Sequence, residues 1–381
     1  MIQNSTNNTN IIKYHRNSSI ELLRIISMIM IVFHHFAVHG GFNFNTSNSL
    51  SIPHLWYNFI VMGGKIGVDI FVLISGYFLI NSKDTFPKLN KILKFIMQIL
   101  FYSVTIYIIS CILGINRIEI KALIKIIFPI TFSEWWFAST YFVMFLLHPL
   151  INKLLNNLNK NDYQKGLLLL IICWSIIPTF TTSLYQSNSL LWFITLYSIA
   201  GYIRLYGLNP KLKHKQYIDL SIIFIIITYL SSIIFIILGK KYIIFINYQN
   251  YLYGQEKITV LLISVCLFMT FSTLKIKYNK WINIIASATF GVYLIHDNNI
   301  IRPILWMDIF KNAQYQNSLI IIPYSILAVF LVYTICTIID LLRKNFLEKT
   351  LMKIVNKYSD KWTELLKKII YLIKGYIFGN Q

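Results

Sequence analysis

Long runs of apolar residues alternate with short polar segments along almost the whole chain. A helix needs about 20 apolar residues to cross a bilayer, and ten runs approach that length, at 19–39, 57–81, 92–114, 135–156, 166–183, 190–207, 217–238, 256–274, 281–301 and 318–342. This pattern predicts an all-α fold, a polytopic membrane helix bundle of about ten transmembrane helices. The second run contains Gly63, Gly64, Gly67 and Gly76, so we expect its helix to be either broken or closely packed. The shorter piece 118–132 is expected to be re-entrant or interfacial.

The charges of the connecting segments predict the orientation of the spans. With the N-terminus in the cytoplasm, the inner segments hold 13 Lys and Arg residues and segment 343–381 adds nine, against seven in the outer segments. Cytoplasmic segments of membrane proteins carry this excess, so both termini are expected in the cytoplasm. We therefore expect a polar cytoplasmic N-terminus at 1–18, a membrane domain at 19–342 and a basic cytoplasmic tail at 343–381.

The tail has a pattern of its own. Apolar residues such as Leu351, Ile354 and Trp362 recur at helical spacing, and lysines occupy the positions between them. This pattern predicts an amphipathic helix that lies on the inner leaflet and contacts membrane lipids. Such a helix can serve as an anchor without any catalytic role.

Composition supports a membrane protein and argues against a nucleic-acid partner. Hydrophobic residues make up 56% of the chain and charged residues only 13%, against about 25% charged residues in soluble domains. The net charge is +21, but the basic residues lie between apolar runs and in the tail, as expected beside anionic lipid. The four cysteines stand alone inside apolar runs and predict neither a disulfide nor a metal site. Abundant Ile, Asn and Lys suggest an A+T-rich bacterium, and hence a bacterial cell membrane.

The first span, "ELLRIISMIMIVFHHF", carries ionisable residues that a lipid-facing helix would not contain. Arg24 and His35 are eleven residues apart, which places them on one helix face and about 16 Å apart along the axis. Glu21 lies near the same line. A polar stripe of this kind is expected to face the bundle interior or a water-filled cavity. The alternative is that Arg24 snorkels to lipid phosphate and His35 makes a buried hydrogen bond.

Two later segments add further polar groups inside apolar runs. Asp69, in "GVDIFVLISGYFLI", falls near the middle of the membrane and needs a partner. A histidine would suit, because a carboxylate fixes the tautomer of an imidazole; the alternative is a structural pair with Lys65, one turn away. "FGVYLIHD" places His296 and Asp297 near the outer end of the ninth span, on the same side as His35, with Arg302 following. An interfacial histidine is the alternative there.

Two adjacent tryptophans begin the fourth span, in "SEWWFASTYFVMFLLHP". Trp135 and Trp136 fit an aromatic belt at the membrane interface. They also fit a platform on which a sugar ring stacks. Trp136 is therefore a candidate substrate-binding residue.

The motifs in the first, second and ninth spans resemble those of the membrane acyltransferase type 3 family. The resemblance covers about residues 19–342 and implies O-acyl transfer, usually of acetyl, from cytoplasmic acyl-CoA to a carbohydrate beyond the membrane. Arg24 and His35 match the family's Arg–ten residues–His pair, and Asp69 matches the acid of its second-span signature. Many members have an arginine pair after the second span. This chain has "KDTFPKLNKILKF" instead, where Lys88 and Lys91 are candidates for CoA phosphates although lysine lacks the bidentate fork of arginine.

On this basis we hypothesise a role for each candidate residue. His35 would be a general base or a nucleophile, and Asp69 would orient it. Arg24 would bind acetyl-CoA, the acyl donor, with no metal required. His296 would assist catalysis, and Arg302 would bind the acceptor, a cell-surface or exported polysaccharide or its lipid-linked precursor. A transporter or flippase of lipid-linked sugar is the main alternative, because intramembrane charges and broken helices suit transport equally well; a proton-coupled sensor is a third. The sequence leaves the oligomeric state open.

Overall fold

The computed structural model describes residues 16–44, 50–181, 183–184, 187–208 and 211–378. Most of the expected polar segment 1–18 lies outside these residues. Every regular element among the described residues is helical. The helices used below are α1 (Ser18–Val38), α2 (Ile52–Leu79), α3 (Leu89–Ile112), α4 (Ile120–Ile127), α5 (Trp136–Asn156), α6 (Lys160–Ile171), α7 (Ile177–Phe180), α8 (Ser189–Tyr206), α9 (His214–Lys241), α10 (Ile258–Thr273), α11 (Lys280–Ser287), α12 (Thr289–His296), α13 (Ile301–Pro303), α14 (Ile321–Arg343) and α15 (Lys349–Phe378).

The described residues contain eight stretches that are long and apolar enough to cross a membrane. They are Ser18–Val38, Ile52–Leu79, Leu89–Ile112, Trp136–Asn156, Lys160–Phe180, His214–Lys241, Ile243–Thr273 and Ile321–Tyr376. The expected polytopic all-helical bundle is therefore confirmed. The two other expected spans are 190–207 and 281–301. The first corresponds to the continuous helix α8, and the second is divided into the two short helices α11 and α12.

Helix α1 begins at a well-formed N-cap and is fastened there to the connection between α10 and α11. The Asn17 side chain accepts hydrogen bonds from the first free backbone N–H groups of the helix, which would otherwise lack partners. Ser19 Oγ donates to the Leu274 carbonyl at 2.6 Å, and Ser18 Oγ accepts from the Asn279 backbone N–H at 2.8 Å. These bonds fix the N-terminal end of α1, and Arg24 lies about two turns beyond the Asn17 N-cap.

Glycines let α1 and α2 approach each other closely, so the second span is closely packed rather than broken. A Cβ at Gly64 would lie 2.2 Å from the His34 ring, and one at Gly67 would lie 2.6 Å from the Ser27 carbonyl oxygen. Real Cβ atoms do not tolerate such distances, so these positions accept only glycine unless the helices separate. The close approach sets α2 beside the polar stripe of α1.

The break between α11 and α12 leaves a backbone carbonyl that a side chain satisfies. The Lys344 ammonium group donates to the Ser287 carbonyl and lies 3.1 Å from Ser287 Oγ. An unpaired carbonyl at membrane depth is costly, so this contact permits the helix to restart at Thr289. Helix α12 therefore forms a short separate unit that carries His296 at its C-terminal end.

A buried carboxylate packs directly against α12 from α14. Asp340 is fully buried and accepts hydrogen bonds from Tyr102 at 2.8 Å, Gln98 at 3.1 Å and Arg343 at 2.9 Å. Gly291 of α12 faces this group so closely that a Cβ there would lie 2.2 Å from Asp340 Cγ. Because several donors hold the carboxylate in place, Asp340 fixes the position of α12.

The tail forms a long helix, α15, joined to α14 through a π-helical turn. Glu348 at this turn accepts from Lys94 of α3 at 2.6 Å and pairs with Arg343 at 2.8 Å. Leu351, Ile354 and other apolar side chains of α15 are exposed. None of the other described residues covers this apolar face, which is the arrangement expected of an interfacial helix.

Candidate active site

A narrow cavity of about 230 Å³ runs inside the bundle beside α1. Its walls come from α1, α2, α3, α5 and α12, and most of them are apolar or aromatic. Arg24 and His35 both line it, as the predicted polar stripe requires. This cavity, which we call the catalytic cavity, therefore borders both residues that the sequence placed on one helix face.

His35 is hydrogen-bonded to His296, so the structure brings these two candidate residues together. The His35 Nδ1 and His296 Nε2 atoms are 2.9 Å apart. His296 Nδ1 lies 2.6 Å from the Val292 carbonyl oxygen, which only accepts, so this nitrogen carries the proton. In neutral His296 the Nε2 atom then holds a lone pair and accepts from His35 Nδ1–H. This assignment leaves the lone pair of His35 on Nε2.

Asp297 is the carboxylate that lies beside this pair. Its Oδ1 atom is 3.6 Å from His35 Nδ1 and 4.0 Å from His39 Nε2. Arg302 donates to the same oxygen at 3.2 Å and to Asn299 Oδ1 at 3.2 Å. The carboxylate favours a proton on His35 Nδ1 and would stabilise a positive charge on that ring. Arg302, which is 31% exposed in its side chain, holds Asp297 in place.

Asp69 does not occupy the position expected from the sequence. It is fully buried, and its Oδ1 atom accepts from Trp192 Nε1 and Gln255 Nε2, both at 3.0 Å. Among the described residues we observe no contact between Asp69 and His35. The geometry gives Asp297 the orienting place beside His35, and Asp69 fastens α2 to α8 and to the segment before α10. The expected pairing of Asp69 with a histidine failed because only the fold decides which carboxylate meets the ring.

Arg24 borders both the catalytic cavity and a second cavity. This second cavity, of about 540 Å³, shares Arg24, Thr289 and Phe290 with the first. We call it the mouth cavity. Glu21 lines it as well and lies 3.4 Å from the Arg24 guanidinium. Arg24 keeps most of its hydrogen-bonding capacity for another acceptor, since Glu21 contacts only its Nε atom.

Trp136 and the two candidate lysines differ in where they lie. Trp136 lines the catalytic cavity, and Lys65 Nζ sits 5.0 Å from its ring centroid. Lys88 and Lys91 are exposed at the start of α3 and line neither the catalytic cavity nor the mouth cavity. Trp136 therefore borders the same cavity as His35, whereas the two lysines lie at the exposed N-terminal end of α3, outside both cavities.

The match to known proteins agrees with this geometry. The sequence model of the family described as "Acyltransferase domain" matches residues 17–341, which is most of the chain. The chain belongs to the acyltransferase type 3 family. The comparison with curated proteins found no match, and neither did the comparison with solved structures.

The histidine cluster of this membrane acyltransferase also has the spacing of a metal site. His35, His39 and Asp297 each offer a ligand atom within 4.8 Å of the others. His35 Nδ1 is already engaged by His296, however, and the Arg302 guanidinium lies against Asp297. A cation would have to displace one contact and tolerate a neighbouring positive charge.

Several residues around the acyltransferase site were not selected from the sequence. Asp340 could have been found as a charge within the last apolar run, since such residues are buried and paired. Asp297 was visible next to His296, but nothing in the sequence ranked it above Asp69. The packing of Gly291 against Asp340 depends on two helices that are far apart in the chain, so no local signal reveals it.

Proposed function

We propose that this acyltransferase transfers an acetyl group, or another acyl group, from cytoplasmic acyl-CoA to a hydroxyl of a carbohydrate beyond the membrane. The acceptor is a cell-surface or exported polysaccharide or its lipid-linked precursor. The protein acts in a bacterial cell membrane with both termini in the cytoplasm. The tail helix α15 rests on the inner leaflet, where its lysines meet anionic lipid.

One observation carries the proposal: Arg24 and His35 line the same narrow cavity at two positions along α1. CoA is an anion attached to a long thin arm. A guanidinium binds phosphate through charge-assisted hydrogen bonds, and the helical rise between the two residues, about 16 Å, is similar to the length of the pantetheine arm. The cavity would admit the arm while Arg24 retains the phosphate, which brings the thioester to His35.

The tautomers in the histidine pair support a general-base mechanism. His35 Nε2, which holds the lone pair, removes the proton from the acceptor hydroxyl. The hydroxyl oxygen attacks the thioester carbonyl, the C–S bond breaks, and the proton passes from His35 to the leaving thiolate. His296 Nε2 and the Asp297 carboxylate stabilise the imidazolium that forms in between. No net proton is gained or lost by the enzyme.

Groups at the end of the cavity that is remote from Arg24 suit an acceptor that arrives from the opposite side of the membrane. Arg302 and His39 are both partly exposed there and supply donors for sugar hydroxyls. Trp136 offers an aromatic face beside the catalytic cavity, and apolar sugar faces stack on such rings. Arg302 and His39 lie beside Asp297 and His35, and Trp136 borders the same cavity as His35, so the acceptor hydroxyl would approach the general base.

Binding and turnover can be separated by variants at the two ends of the cavity. A charge-assisted hydrogen bond to phosphate contributes about 1.5–3 kcal/mol, so Arg24→Ala should lower acyl-CoA affinity roughly ten- to 150-fold. Arg24→Lys should recover only part of it, because a point charge replaces the fork. His35→Ala should bind acyl-CoA normally and lose turnover. Calorimetry on the detergent-purified protein measures binding, and mass spectrometry of cell-surface glycans measures acetylation.

His34→Ala is the matched control for His35→Ala. His34 Nδ1 lies 2.7 Å from the Val61 carbonyl of α2 and does not line the catalytic cavity, so this variant should retain much of the acetylation. No acyl-CoA binding by active wild-type protein would refute the cytoplasmic donor. A transporter would show neither pattern, because transport of a sugar lipid does not require CoA.

A further inference from the structure

The mouth cavity has polar and aromatic residues in its walls to which the proposed transfer reaction gives no role. It is lined by Arg16, Asn17 and Phe78 in addition to the residues it shares with the catalytic cavity. Its volume, about 540 Å³, is more than twice that of the catalytic cavity, about 230 Å³. The two cavities are neighbours that share Arg24, Thr289 and Phe290 in their walls. A ligand with a thin arm and a bulky head would fill both.

Phe78 and Arg16 are placed as a nucleotide would require. Phe78 lies in the last turn of α2 and exposes 48% of its surface at the cavity wall. Aromatic faces of this kind stack on bases without depending on their sequence. Arg16 is exposed just before α1 and lines the same wall. Guanidinium groups bind phosphate by paired, charge-assisted bonds.

The positions of the charged residues in the mouth cavity indicate which part of the ligand each of them would bind. Glu21 lines the cavity and repels phosphate, but it lies 3.4 Å from Arg24 Nε and is partly neutralised there. The terminal nitrogens of Arg24 remain for the phosphate nearest the thin arm, because Arg24 borders both cavities. Arg16, which lines only the mouth cavity, is left for phosphates nearer the base.

We infer that the mouth cavity is the nucleotide-binding part of the donor site: the adenine stacks on Phe78, the outer phosphates bind Arg16, and the 4′-phosphate binds Arg24. This inference rests on the proposed function, since it assumes an acyl-CoA donor. It also predicts which donors the enzyme distinguishes. The enzyme recognises the nucleotide as well as the thioester, so a phosphopantetheine that lacks the adenosine part is a poor ligand.

Two probes separate the nucleotide from the arm. Calorimetry would measure binding of coenzyme A and of 4′-phosphopantetheine, which lacks the nucleotide, to the full-length protein in detergent. Loss of one base–aromatic stack weakens binding roughly five- to 150-fold. Phe78→Ala should therefore weaken coenzyme A by that factor and leave 4′-phosphopantetheine unchanged. Arg16→Ala should show the same selectivity, whereas Arg24→Ala should weaken both probes.

Matched controls distinguish stacking from a general effect. Phe86→Ala removes a phenylalanine that is 54% exposed just beyond α2 and lines neither cavity, so it should change neither affinity. Phe78→Leu keeps the apolar bulk and removes the aromatic face, which tests stacking even where Phe78→Ala folds poorly. Phe78→Trp should preserve coenzyme A binding.

Different results would refute the nucleotide site and the proposed acyl-CoA donor. Equal binding of the two probes by the wild type, or equal losses for both probes in Phe78→Ala and Phe78→Leu, would overturn the nucleotide site. Unchanged coenzyme A binding in Phe78→Ala would overturn it as well. Wild-type protein that binds neither probe while it still acetylates glycans would refute the proposed donor itself.

Discussion

Gly291→Ala tests whether the buried carboxylate of α14 sets the position of the catalytic helix α12. A Cβ at this position would lie 2.2 Å from Asp340 Cγ and 2.3 Å from Asp340 Oδ1, whereas ordinary contact begins near 3.4 Å. The difference, 3.4 minus 2.2, requires a movement of about 1.2 Å. Asp340 is held by hydrogen bonds from Tyr102 and Arg343, so we expect α12 to yield.

The expected consequence appears in turnover rather than in donor binding. His296 lies on α12, and a shift of this size directed along its 2.9 Å bond to His35 would lengthen that bond to about 4 Å, beyond hydrogen-bonding distance. A misplacement of about 1 Å near a reacting group can cost roughly 100-fold in rate. We therefore expect kcat to fall by about that factor while acyl-CoA affinity, measured by calorimetry, changes much less because Arg24 lies on α1.

Gly166→Ala is the matched control. Gly166 lies within α6, and a Cβ there meets nothing within 4 Å, so alanine should be neutral or slightly stabilising, by about 0.5–1 kcal/mol. Thermal unfolding of both variants separates loss of fold from loss of catalysis. A Gly291→Ala protein that folds and acetylates at the wild-type rate would refute the positioning role of Asp340.

Two further predictions concern the mechanism and the topology. Direct transfer by a general base forms no acyl-enzyme, so purified protein without acceptor should not exchange labelled CoA into acetyl-CoA; exchange measured by mass spectrometry would indicate an acyl-histidine intermediate at His35 instead. In a background without the native cysteines, Ile118→Cys should react with an impermeant maleimide from outside the cell and Lys83→Cys should not, as the Lys and Arg distribution requires. Labelling of Lys83→Cys from outside would invert the proposed path of the donor.

The sequence predicted the helices and the shared face of Arg24 and His35 because both depend on local periodicity. Apolar runs fix where a chain crosses a membrane, and eleven residues of helix fix a face. The break within run 281–301 was missed, since it depends on Lys344, which reaches the free Ser287 carbonyl from a helix distant in sequence. Charge alone did not reveal that Lys88 and Lys91 lie outside both cavities, and their contact with CoA phosphates stays a prediction.

The choice between two carboxylates is the point at which sequence and structure differ most, and one pair of variants decides it. Asp297 Oδ1 lies 3.6 Å from His35 Nδ1. At an effective dielectric constant of about 20, opposite charges at this separation attract by about 4–5 kcal/mol, part of which Arg302 already offsets. Asp297→Asn should therefore lower kcat by roughly 10²- to 10³-fold with acyl-CoA binding retained. Asp69→Asn keeps an oxygen that accepts from Trp192 and Gln255, so its turnover should stay close to the wild type. The reverse ranking, measured on folded proteins with equal donor affinity, would restore Asp69 as the acid that serves His35 and would reduce Asp297 to a partner of Arg302.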